Sequence, residues 1–385
     1  ERARQDEREE LIDLFNTAFR HDNPRHIDFR RLMPDLYRPC NFRGEDHLVI
    51  RDHGRPVAGL ALLPLQFAAG PNVMDVAGIG QVSTHPNYRE RGFMTALMKA
   101  AEAEIDRGDY ALGYLGGDRA RYARFGFEAT VYLWQFQLAA KDLADVDLGA
   151  WTFSEPAEFE PWMNGAIEAK PFRRKMTFDV MKWAVRRAGN RLLATNGPSG
   201  RAIVVYSMDG DPEGGDGPER RGNATVQDWG GPVEGILALV VELARTSDGG
   251  TVHVTTPAFP YDLHRLLHQR ASRCTPHTTS NLRITKLEPL LRTYLPWLSR
   301  AVNACPDGLT LRITGTDQQT TLILADQAEL VPQPSRVEIA MNRLDMATLL
   351  FGPFPPSRLF DLPPQLHVLD AILPLPIFFS GISWV

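Results

Sequence analysis

Cysteine is scarce: Cys40, Cys274 and Cys305 are three in 385 residues, widely spaced and without a Cys-x-x-Cys pair. An odd, dispersed set does not make a disulfide framework and reads as reduced thiols in a cytoplasmic compartment. An excess of positive charge is missing too, since 42 Lys and Arg stand against 47 Asp and Glu for a net charge of −5. A dedicated nucleic-acid binder carries a basic footprint, so no nucleic-acid partner is expected. No apolar run reaches the length that crosses a bilayer. The opening residues, Glu-Arg-Ala-Arg-Gln-Asp-Glu-Arg-Glu-Glu, are too charged for an export signal. No membrane partner is therefore expected, and Asn223-Ala-Thr225, a glycosylation sequon only on an exported chain, is read as unmodified.

Metal-ligand clusters are also lacking. His264 and His268 have the i, i+4 spacing of a helical metal pair, but the glutamate of a metalloprotease is not between them and no third ligand stands near. No metal is expected. What remains is globular material: 43% hydrophobic and 23% charged residues fill cores adequately, and 385 residues suit two or three domains.

The densest information lies between Gly80 and Phe127. Residues 73–82 alternate like a strand, Pro86 and Asn87 signal a turn, and Phe93, Leu97, Ala100 and Ala101 fall on one helical face that Gly108 can close. The first N–H groups of a helix lack internal partners and sit at the positive end of its macrodipole, where an anion is stabilised. Gly92 removes a side chain from the approach, and Arg89 and Arg91 add positive charge. The stretch Arg89-x-x-Gly92-x-Met94 thus reads as a nest for a diphosphate. Tyr-Ala-Arg-Phe-Gly-Phe, residues 122–127, reads as a short helix carrying a phenol and leading into a strand.

These two motifs resemble those of the GNAT superfamily of acyl-CoA-dependent N-acyltransferases, signature Arg/Gln-x-x-Gly-x-Gly/Ala. Met94 departs from the final small residue. His-Pro-x-Tyr-Arg-x-Arg-Gly-x-Met with Tyr-x-x-Phe-Gly-Phe is most similar to the enhanced intracellular survival (Eis-like) type. The resemblance in motifs spans about residues 45–138, and the later layout extends it along the chain. It implies an α/β (α+β) chain of two tandem GNAT-type mixed-sheet domains, 1–140 catalytic and 141–285 degenerate. A sterol-carrier-like α+β domain, 286–385, would follow. In the second domain Asp228-Trp-Gly-Gly-Pro232 replaces the basic turn, so no diphosphate nest is expected there. The stretch 209–218 reads as a mobile hairpin loop, and Pro296 is expected to kink the helix carrying Leu291, Leu295, Leu298 and Val302. A strand ahead of the first helix is expected to be missing or very short, so residue 1 need not be a native start.

The resemblance implies acetyl-CoA as co-substrate, held by Val82, Ser83, Thr84, Arg89, Glu90, Arg91, Gly92, Phe93, Met94 and Thr95. It implies Tyr122 as general acid, and Val385 as the carrier of a C-terminal carboxylate that threads back as base. A Tyr122 that merely packs beside Phe125 and Phe127 is the competing reading. Residues 19–42, with Asp22, Asp28 and Tyr37, are expected to wall the acceptor site, where acidic and aromatic side chains suit a cationic amine. A solvated helix–loop–helix surface is the alternative. Polyamine-like or aminoglycoside-type acceptors and a homo-oligomer are further implications. Two other functions stay open: a non-catalytic acyl-CoA or lipid sensor, and a peptide or protein N-acetyltransferase.

Overall fold

The computed structural model describes residues 1–209, 222–259, 261–301 and 305–385. The expected loop at 210–218 and the helical position Val302 lie outside the described residues. The chain opens with helices α1 (Arg8–Asp22), α2 (Phe29–Leu32) and α3 (Pro34–Tyr37), then strands β1 (His47–Asp52), β2 (Arg55–Ala69) and β3 (Asn72–Thr84). Helix α4 (Phe93–Arg107), β4 (Leu112–Gly116), α5 (Arg119–Tyr122) and β5 (Glu128–Ala139) follow. Ahead of α1, where a strand is expected to be missing or very short, Arg2 forms a single bridge with Leu48.

The second stretch runs β6 (Thr152–Ser154), α6 (Pro161–Glu168), β7 (Phe172–Lys175), α7 (Phe178–Ala184), β8 (Arg191–Gly197) and β9 (Gly200–Met208). It continues through β10 (Ala224–Gly230), α8 (Val233–Thr246), β11 (Thr251–Pro257), α9 (Asp262–His268) and β12 (Arg273–Ile284). The order repeats that of the first stretch: strands, long helix, strand, short helix, strand. The apolar face of α8 is buried along most of its length, which is why this helix reads as the more hydrophobic of the pair.

The two stretches are not laid side by side as closed units. Their strands form one sheet in the order β1-β2-β3-β4-β12-β5-β11-β10-β9-β8-β6, with β7 on β2. Strand β12 returns to pair with β4, and β5 reaches out to pair with β11. Each stretch therefore completes its sheet with the other's last strand, a long-range pairing that local patterning does not encode.

The third stretch begins with α10 (Leu287–Thr293) and α11 (Leu295–Leu298). The kink expected at Pro296 is a full break at Tyr294, and Pro296 sits in the first turn of α11, where its missing N–H leaves no gap. A separate sheet, order β15-β14-β13-β16, is built from β13 (Cys305–Ile313), β14 (Gln319–Leu324), β15 (Ala328–Val331) and β16 (Glu338–Met341), and α12 (Arg343–Phe351) packs on β5 and β12 of the large sheet. Residues 372–379 form a mostly apolar strap: Leu373, Leu375, Ile377, Phe379 and the final Val385 join the core of the third stretch to Leu65 and Val76 of the first.

Candidate active site

Strand β3 is the backbone of the site. Its antiparallel pairing with β2 slips between Gly59 and Ala61, and Gln81 takes a positive φ of 50°. That bulge re-aims the strand's end. The parallel ladder with β4 ends at Ile79↔Leu115, although β3 runs on to Thr84. Residues 80–84 consequently leave one strand edge without a β4 partner.

The turn after β3 carries two left-handed residues, Glu90 at φ 66° and Gly92 at φ 77°. Alternation of left- and right-handed residues makes successive N–H groups converge into an anion-binding concavity. Gly92 is the N-cap of α4 and no side chain caps the helix, so the N–H groups of its first turn stay open. A Cβ added at Gly92 would meet nothing within 4 Å. Glycine is required there for its backbone angle, not because space is tight, which corrects the steric reason expected from sequence.

Val82, Ser83, Thr84, Arg89, Glu90, Gly92, Phe93, Met94 and Thr95 line one cleft of about 590 Å³. Arg91 is exposed beside it, its guanidinium 4.8 Å over the Tyr88 ring. The Ser83 hydroxyl is buried in this wall without a hydrogen-bond partner, a polar atom that suits a polar ligand. Sequence reading missed Arg121 and Arg124, which line the same cleft. Arg124 donates to Thr95 Oγ1 at 3.2 Å. The Arg-x-x-Arg spacing across the Tyr122 helix was the available signal. Open N–H groups, arginines and an orphan hydroxyl fit a CoA diphosphate and pantetheine.

The acceptor wall differs from expectation in three places. Asp22 lies in the cofactor cleft, where Arg89 grips both its oxygens at 2.9 and 3.0 Å. That guanidinium hydrogen bond holds the Asp22 carboxyl below the usual range. Asp28 caps α2, accepting from the Arg30 N–H at 2.8 Å and from Asn16 Nδ2 at 2.8 Å. Tyr37 is wholly buried and donates to Gln81 Oε1 at 2.9 Å, so it braces the β3 bulge from the core side.

Tyr122 ends the short α5 helix that Asp118 caps through the Ala120 N–H at 2.9 Å. It is 6% exposed, packed with Phe125 and Phe127, and burial pushes its phenol above the ordinary value. Val385 sits on the face of β3 opposite α4. A Cβ on Gly80 would fall 2.8 Å from the Val385 carbonyl carbon, and one on Gly78 would fall 3.3 Å from Val385 Cγ1. The two strand glycines are what lets this end of the chain lie flat on β3, where the open edge begins. Away from this region, His264 Nδ1 lies 3.1 Å from Thr256 Oγ1. Among the described residues no group of three metal-binding side chains gathers anywhere. Nor is any helix long and apolar enough to cross a membrane.

A splayed strand, a converging turn and an open helix start together make a concavity suited to an anionic ligand. Residues 1–130 match the family model described as acetyltransferase (GNAT) domain. No curated protein matches the sequence. Solved structures are similar over nearly the whole chain. A conserved Enterococcus faecalis protein titled "Probable N-Acyltransferase" has a TM-score of 0.70 at 16% identity, covering 100% of this chain and 96% of that one. A GCN5-related N-acetyltransferase from Anabaena variabilis has a TM-score of 0.70 at 17% identity, covering 100% and 97%. Eis1 from Mycobacterium abscessus has a TM-score of 0.68 at 14% identity, covering 98% of each. Identities this low speak for the fold alone.

Proposed function

We propose that the protein transfers an acetyl group from acetyl-CoA to the primary amine of a small cationic acceptor. The observation that carries this reading is a convergence on β3: the open α4 N-terminus beyond its end, the free edge at residues 80–84, and Val385 seated on Gly80. In this reading the diphosphate lies against the N–H groups of the turn and first helical turn, flanked by Arg91, Arg121 and Arg124. The pantetheine runs along the free edge, and strand N–H groups near Val82 and Thr84 donate to the thioester oxygen as charge develops there.

The neutral amine attacks the thioester carbon, forming the C–N bond while the carbonyl electrons move to oxygen. As the C–S bond breaks, the sulfur takes the pair and the Tyr122 hydroxyl gives it a proton. The ammonium proton passes, directly or through water, to the carboxylate that Val385 carries in this chain. A phenol whose pKa is raised stays protonated at neutral pH and can serve as that donor. The cationic character of the acceptor rests on the resemblance.

One observation favours a second reading, a non-catalytic acyl-CoA binder: Tyr122 packs tightly and is not among the residues lining the cleft. The two separate by thiol release from acetyl-CoA over a panel of amines. For the enzyme, Tyr122→Phe should lower turnover about 100-fold or more with CoA affinity kept. CoA binding with no thiol release from any amine would sink the enzyme and leave the binder.

A further inference from the structure

The last residues are held from the second stretch of the chain. The Gly381 N–H donates to the Gln227 carbonyl at 2.8 Å, on the part of β10 that runs past its parallel pairing with β11. Ser380 Oγ donates to Asp228 Oδ2 at 2.7 Å, and the other Asp228 oxygen pairs with Lys170 at 2.9 Å. Further on, Arg174 Nη1 donates to the Ser383 carbonyl at 2.9 Å and Arg187 Nη1 to the Trp384 carbonyl at 3.0 Å.

The two arginines differ. Arg187 has its own counter-ion, since Asp35 accepts from it at 3.0 and 2.7 Å. Arg174 is 5% exposed, forms no ion pair among the described residues, and its Nε has no hydrogen-bond partner. Burial pulls its pKa down to about 10. A desolvated, unpaired guanidinium works against stability, and an apolar side chain of similar volume is commonly tolerated better in such a place. Its position is set by β7, where it lies opposite Phe67 of β2, and Phe67 packs on Phe379 of the strap.

We infer that Arg174 is the positioning residue of the site: by anchoring the Ser383 carbonyl it holds Val385 on Gly80. The inference rests on the reading of Val385 as the base, and its test keeps the two apart. Arg174→Met and Arg174→Lys are compared with the parent chain, each with and without Ser383–Val385. Two quantities are read: release of the final residues by a broad-specificity carboxypeptidase, and kcat and KM for acetyl-CoA.

Arg174→Met should fold with an unchanged or raised Tm, because it removes an unpaired buried charge. It should lose its terminal residues at least about tenfold faster, and kcat should fall about tenfold or more while KM for acetyl-CoA stays within about twofold. Arg174→Lys, which still donates to Ser383, should restore most of both. In the truncated chain Arg174→Met should change kcat by less than about twofold, since nothing is left to position. Trimming no faster than the parent overturns the inference whatever kcat does. A kcat loss of equal factor in intact and truncated chains overturns it as well. Faster trimming with turnover unmoved by either change upholds Arg174 as the anchor and sinks the terminal base.

Discussion

At the bulge of β3 stands Gln81, and at the bulge of β10 stands Gln227; beyond each, the strand leaves its parallel neighbour. The two tandem stretches thus share the same splay of strands. They differ in what occupies it. In the first stretch the turn is basic, two of its residues are left-handed, and a cleft opens over the helix start. In the second, Trp229 turns inward and donates from its indole to the Thr255 carbonyl at 3.3 Å, tying β10 to β11 across the gap. Helix α6 closes the turn as well, because a Cβ on Gly230 would come 2.4 Å from the Ala166 backbone. The remaining open edge takes the protein's own Gly381. The same backbone device opens onto a cleft in one stretch and seats the protein's own chain in the other, and side chains decide which.

The largest effect that could break this comparison is at Trp229, which is 1% exposed. Trp229→Ala should cost about 3–5 kcal/mol in denaturant unfolding, with CoA affinity of the folded protein unchanged. A variant that folds yet loses CoA binding would mean that the second stretch shapes the cofactor site after all.

Next comes acid. The Gln81 bulge leans on Tyr37, whose ring lies against His47, whereas Gln227 donates to the neutral Ser207 hydroxyl at 2.9 Å. Burial lowers the His47 pKa to about 4 from the ordinary 6.5. The unfolded chain therefore binds more protons between these values, and the contribution is fully present above pH 6.5 and lost as pH falls toward 4. Stability should drop by about 3 kcal/mol over that window from this residue. His47→Gln should flatten that slope; an unchanged slope would place the acid sensitivity elsewhere.

At Gly92 the prediction concerns affinity. Gly92→Val forces a branched side chain into a left-handed N-cap and should weaken acetyl-CoA binding by about 30-fold, near 2 kcal/mol. Gly231, also left-handed at φ 108°, has the Arg201 carbonyl oxygen 2.6 Å from where a Cβ would stand, and replacing it should tax folding while sparing CoA affinity. The smallest effect is at Asp22. Asp22→Asn removes the charge that neutralises Arg89, so CoA should bind about two- to fivefold more tightly at low salt, with the gain fading as salt rises. Weaker binding would show that the pair holds the cleft open.

Much of the site was legible before the fold. The β3 alternation, the turn at Pro86, the helix face from Phe93 and the short Tyr122 helix all stand within a few residues of their expected bounds. The signals for these are local: strand alternation, a proline ring and a glycine angle act between near neighbours. The acceptor wall was not legible. Asp28 looks like a free acid until α2 forms and uses it as a cap, and Tyr37 looks like a surface aromatic until α1 and β1 bury it. The pairing of Asp22 with Arg89, 67 positions away, was not legible either.

Sequence by itself determined where strands and helices begin, that residues 89–95 open with a basic turn around a left-handed glycine, and that residues 228–232 carry no basic side chain. Each is a matter of steric freedom, backbone N–H direction or charge within one turn of chain. Only the tertiary structure decided that β5 and β12 change places between the two stretches, that Gly78 and Gly80 make room for Val385, and that Arg174 stands buried beside Ser383 without a carboxylate of its own. Those outcomes depend on surfaces brought together across as many as 307 positions, as between Gly78 and Val385, and no local preference of either partner contains them.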